Sequence, residues 1–111
     1  MYAEKLTWEN ARKRCETLGG QLAVIRDEPT WKFLTASLAG TPRLWLGASD
    51  QLTEGNWEWV DGSKMSYSNW GGKLPDNIGS KEHFLALWGT TWNDAANDDP
   101  EVVGFICEWK Q

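Results

Sequence analysis

The sequence predicts an α+β fold in which two helices precede an antiparallel sheet. Three observations carry this. Apolar residues recur at three- and four-residue steps in the first part of the chain. Short apolar or alternating runs replace that period in the second half. Two long irregular stretches, about 70–83 and 89–101, separate the last runs. Structureless segments of that length are uncommon in a small domain and are usually functional.

The elements follow in order. Thr7 is a good N-cap for "WENARKRCETLG", in which Trp8, Ala11, Cys15 and Leu18 form one buried face. Gly19 supplies a left-handed stop. Cys15 therefore sits on the core side of this helix, where it can face a strand. "QLAVI" (21–25) reads as a short strand. Asp27 caps a second helix with Pro29 in its first turn, where a missing N–H costs little. Trp31, Leu34 and Leu38 form its inner stripe, and Gly40 and Pro42 end it. "LWLGA" (44–48) is a compact apolar strand. "NWEWV" (56–60) alternates and runs into Asp61-Gly62, a hairpin-turn signal. "FLALW" (84–88) and "VVGFICEW" (102–109) are further strands.

A length of 111 residues suits one domain, 1–111, with one core. With 41% hydrophobic residues and nine tryptophans the chain cannot be disordered. No apolar run approaches the ~20 residues that cross a bilayer. Met1-Tyr2, followed by charged Glu4 and Lys5, has no signal-peptide pattern and reads as the edge of a fragment. The net charge is −5 and there is no basic stripe, which argues against nucleic acid and anionic lipid as partners. Asp76, Glu82, Asp94, Asp98, Asp99 and Glu101 gather towards the C-terminal side. Such a cluster is either a solvated rim or a cation site.

The two cysteines, Cys15 and Cys107, are too far apart in sequence for a CxxC motif. They are either buried thiols or a long-range disulfide. A bridge closing so large a loop stabilises by roughly 4–5 kcal/mol in the chain-entropy estimate and implies an oxidising compartment. Catalysis is not expected. His83 is the one histidine, and no glycine-rich phosphate loop or nucleophile elbow is present. Asp76 and Glu82 have the residue types of a glycosidase pair, but nothing else supports that chemistry.

Several motifs, in order and nearly end to end, resemble the C-type lectin-like domain. "LTWENARKRCETLGGQLAVI" is similar to its first helix and following strand, and "WLGA" (45–48) to its core WIGL strand. "WEWVDGSKMSYSNW" resembles the hairpin leading into its long loop; "WND" (92–94) and "FICEWK" (105–110) resemble its closing strands. The resemblance implies a C-type lectin-like fold, with two helices packed on antiparallel sheets and a long irregular loop region. It implies that Cys15 and Cys107 form the family's long-range disulfide. The family's second bridge falls at Phe84 and Asn97, so both of its cysteines are lost together.

The resemblance also implies a calcium site that takes two vicinal sugar hydroxyls. Calcium prefers six to eight hard oxygens at about 2.3–2.6 Å. The family draws them from a Glu-Pro-Asn or Gln-Pro-Asp triplet whose X–Pro bond is cis, a later Glu, and the Asn-Asp of WND. Carried over by position, Asp76, Glu82, Asn93 and Asp94 are the ligands, four of five side chains. The fifth position is Leu74, which has no oxygen and should weaken calcium; the galactose-type triplet is only half matched, as Leu-Pro-Asp. A second, structural calcium position matches Asp50 and Glu54, but Asn77 and His83 stand where acids are usual. The alternative there is that Asp50 and Glu54 hold a turn.

Trp88 and Trp70 are candidates for stacking on a sugar ring. Trp8, Trp31, Trp45, Trp57, Trp59, Trp109 and Trp92 are expected in the core. The resulting expectation is a non-catalytic binding module of an extracellular, secreted or cell-envelope chain. Its ligand is a carbohydrate or glycoprotein, bound with calcium through Asp76, Glu82, Asn93, Asp94 and Trp88. The alternative is a domain without calcium or sugar binding that presents the same face, with Leu74 exposed, to a protein.

Overall fold

A computed structural model describes residues 2–36, 43–52, 55–71, 82–89 and 91–109. Leu38, Gly40 and Pro42 of the expected second helix, and Glu54, Leu74, Pro75, Asp76 and Asn77, lie outside the described residues.

Helix α1 spans Trp8–Thr17. Its start is local chemistry: Thr7 is extended and its Oγ1 accepts from the Asn10 N–H at 3.2 Å. Its end is equally local. Gly19 has φ 87°, and the Gly20 N–H returns to the Cys15 carbonyl at 2.8 Å. Strand β1 is Gln21–Leu22, shorter than the apolar run around it. Helix α2, Glu28–Ala36, is capped by Asp27, whose Oδ1 accepts from the Thr30 N–H at 3.0 Å. Trp31 is buried and Leu34 packs against the same core.

The main sheet is built on β2, Arg43–Ser49. Strand β3 (Glu58–Trp59) and strand β4 (Phe84–Trp88) pair with it antiparallel. Strand β5, Thr91–Ala95, pairs with β4 and lies outermost. Strand β6, Gly104–Phe105, runs parallel to β2 along Leu44–Trp45. Strand β7, Cys107–Glu108, pairs antiparallel with β1 in a second sheet. The expected single strand over 102–109 is therefore two strands serving two sheets. The Ile106 N–H reaches the Trp45 carbonyl and its own carbonyl takes the Ala23 N–H, which ties the sheets together.

Residues 91–95, irregular by residue pattern but matched at WND to a closing strand by the resemblance, form a strand. "TWNDA" lacks the β-branched and aromatic density that marks strands, and Asn and Asp are depleted in them. Five cross-strand partners on β4 override that propensity.

The sheet separates two apolar cores. Leu85, Leu87, Trp31, Trp57, Trp59 and Trp92 belong to one. Phe84, Ala86, Trp8, Trp45, Phe105 and the cystine belong to the other. The Cys15–Cys107 disulfide, with Cα atoms 5.6 Å apart, staples α1 to β7. Gly47 in "WLGA" has a packing reason: a Cβ there would lie 2.6 Å from the Leu22 carbonyl oxygen. Trp109, expected in the core, is 47% exposed. It closes over Gly19 and Gly20, and its Nε1–H donates to the Leu18 carbonyl at 3.0 Å.

Candidate functional site

The site's frame is the outer edge of β5. The Trp92 N–H donates to the Asn69 carbonyl at 2.9 Å, and the Trp92 carbonyl accepts from the Gly71 N–H at 3.1 Å. Both partners lie outside the β4–β5 ladder, so Trp92 turns its backbone groups off the edge. Backbone direction alternates along an antiparallel strand. Asp94, two residues on, therefore also directs its N–H and C=O away from β4.

Side chains alternate as well. Asp94 is in register with Leu85 and Asn93 with Ala86, residues that serve opposite cores. Asn93 and Asp94 thus leave the strand on opposite faces. Asp94 is fully buried and Asn93 is 7% exposed. Their lodging is unusual, because burying a carboxylate is costly without partners. Asp94 and Glu82 each interact with neighbouring groups.

Glu82 and His83 precede β4, and Phe84 is in register with Ala95. Glu82 therefore enters β4 from the end at which that strand pairs with Ala95 and Asp94. Asp76 lies outside the described residues. Among the described residues no three His, Cys, Asp or Glu side chains form a group that could hold a metal. The residue types along this edge, a carboxylate, a carboxamide and backbone carbonyls, carry hard oxygens of the kind calcium takes.

Trp88 does not join them. It pairs with Thr91 at the opposite end of β4, about 13 Å of strand from Phe84. The Arg43 guanidinium lies 4.1 Å from its ring centroid, and Arg43 is in turn paired with Glu101. One indole face is thus occupied by a cation of the chain itself. Expecting Trp88 beside the WND residues rested on closeness in sequence; the hairpin points it the other way.

The second calcium position resolves into the turn-holding alternative at Asp50. Its side chain is fully buried, and Oδ2 accepts from the Gly55 N–H at 2.9 Å. His83 Nδ1 meets Oδ1 at 3.1 Å, and the Asp50 N–H donates to the His83 carbonyl at 3.0 Å.

Phe84 and Asn97, where the resemblance puts the family's second disulfide, both attach to α1. The Phe84 ring packs 4.8 Å from that of Trp8. The Asn97 carbonyl accepts from the Trp8 N–H and its Oδ1 from the Glu9 N–H, each at 3.0 Å. No local signal marks Asn97 as a cap, because the Glu9 N–H it serves lies 88 residues earlier in the chain.

The protein-family model of the lectin C-type domain matches residues 4–109. A perlucin-like protein of Mytilus galloprovincialis is 36% identical over 107 residues, which cover 90% of this chain and 68% of that protein. Of some longer relatives the chain spans less than half. The carbohydrate-recognition domain of the mouse scavenger receptor C-type lectin superposes with TM-score 0.89 at 29% identity, covering 99% of this chain and 88% of that one. A calcium-independent type II antifreeze protein superposes with TM-score 0.83 at 27% identity, covering 96% and 80%.

Proposed function

This chain belongs to the C-type lectin domain family, and from that premise we propose that it is a calcium-linked carbohydrate-recognition module working at the Asp94 edge of β5. Lectins of this family are non-catalytic binding modules, commonly for carbohydrate. What supports the reading is the backbone parity of β5: Trp92 turns its N–H and C=O off the β4–β5 ladder, and the same parity applies to Asp94 two residues on. Glu82, two residues before Phe84, and Asp76 would complete the set of residues that hold the ion. Bound calcium would supply coordination for two sugar hydroxyls, and the chain's own oxygens would accept their protons in hydrogen bonds. Trp88 stays outside this set.

The disulfide supports placing the protein in an oxidising, extracellular or cell-envelope compartment. No helix among the described residues is long and apolar enough to cross a membrane.

The test is thermal unfolding in millimolar calcium and in EDTA. Calcium at 100 times its dissociation constant raises stability by about 2.7 kcal/mol. Glycan-array binding that disappears in EDTA, and in Asp94→Ala, completes the reading. One observation favours a second reading: Leu74 removes a ligand, and the antifreeze neighbour is calcium-independent. Identical melting in calcium and EDTA would move the assignment to a domain that recognises a protein through this face.

A further inference from the structure

We propose that His83 is a positioning residue: its ring, held by the buried Asp50 carboxylate, fixes the backbone that presents Glu82 to the Asp94 edge. This rests on the reading of Glu82 as a cation ligand.

The geometry is a two-point clamp. Asp50 follows directly on β2, whose Ser49 is in register with Phe84 of β4. The Asp50 N–H donates to the His83 carbonyl, so the backbone at 83 is tied to the end of β2. The His83 ring is tied independently, through Nδ1 to Asp50 Oδ1 at 3.1 Å. With the Asp50 oxygen accepting, Nδ1 carries the hydrogen. The other Asp50 oxygen is taken by the Gly55 N–H. The carboxylate is completely buried while the histidine side chain keeps 27% exposure. Water therefore cannot replace the imidazole on Asp50 without opening the structure, and the pair is held from the inside. Main chain and side chain of residue 83 are both anchored, and the next residue towards the loop is Glu82. An outer partner that orients a ligand is typically worth about 10–100-fold in metal affinity.

The experiment compares wild type, His83→Leu and His83→Asn. The Asn Nδ2 stands where the imidazole Nδ1 does and can donate to Asp50; Leu cannot. Calcium affinity is measured by titration calorimetry, with amide hydrogen exchange at residues 82–84 and the unfolding midpoint both read in EDTA. The expected result for His83→Leu is an affinity lower by about tenfold or more, with faster exchange at Glu82 and His83. His83→Asn should recover affinity to within a factor of about three of wild type. A purely structural role would lower the EDTA midpoint and leave calcium affinity unchanged, and that result overturns the proposal. Failure of Asn to rescue also overturns it. Should His83→Leu not fold, Asp50→Asn serves the comparison, because it removes the charge and leaves one of the two bonds to its oxygens unmade; unchanged affinity there is again contrary. If wild type takes up no calcium, the reading of the site falls and the positioning role with it. If wild type binds and His83→Leu binds equally, only the positioning role falls.

Discussion

Replacing Asn97 by alanine tests whether a hydrogen-bonded cap has taken over the work of a covalent bridge. The first four N–H groups of a helix have no partner within it unless the cap supplies one. In α1 they are shared between two residues. Thr7 serves Asn10 through Oγ1 at 3.2 Å and Ala11 through its carbonyl at 2.8 Å. Asn97 serves Trp8 through its carbonyl and Glu9 through Oδ1, both at 3.0 Å. Asn97→Ala keeps the backbone bond and removes only the second, which is exposed. The expected loss is about 1 kcal/mol, the usual value for a cap side chain or a single neutral hydrogen bond. At about 2.1 cal/mol/K of unfolding entropy per residue, 1 kcal/mol lowers Tm by roughly 4 °C in a chain of this length. Asn97→Asp keeps the acceptor and adds negative charge at the helix N-terminus, so it should melt at or above wild type at low salt. The assay is differential scanning calorimetry at neutral pH in EDTA, which separates the effect from any ion. An alanine variant melting within about 1 °C of wild type, or an aspartate variant falling as far as alanine, refutes the capping argument.

The disulfide spans 92 positions, for which chain entropy gives about 4.6 kcal/mol. Reduction should lower the urea midpoint by roughly 2–3 M at a slope near 1.5–2 kcal/mol/M, and a shift under about 0.5 M would contradict it. Asp61 is held below the usual aspartate range, foremost by the Ser63 hydroxyl, then by the Ser63 N–H and by Arg26. A depressed carboxyl contributes stability above its unfolded value near 3.9 and loses it as pH falls through the lower folded value. The stability gap between wild type and Asp61→Asn should therefore be present at pH 7 and shrink below about pH 4; a constant gap in pH-resolved urea titrations would refute it.

Sequence alone determined whatever is closed within a few residues. Thr7, Gly19 and Asp27 each act on a backbone group within five positions, so both helix starts and the first helix end were legible. Apolar runs marked β2 and β4, and motif order marked the family. Residue types alone left the cysteines open between thiols and a bridge, and only the approach of α1 to β7 made the bond. They also left Asp50 open between ion and turn, until Gly55 and His83 appeared on its two oxygens. Residue pattern gave strand β5 no mark, only the family resemblance at WND pointed to it, and its partner strand made it. The same pairing sets the geometry around the proposed site. Which way the Asp94 carbonyl faces, and that Trp88 sits at the far end of β4, depends on register between strands. A helix cap is a contact between near neighbours in the chain, whereas an edge exists only once a sheet has assembled.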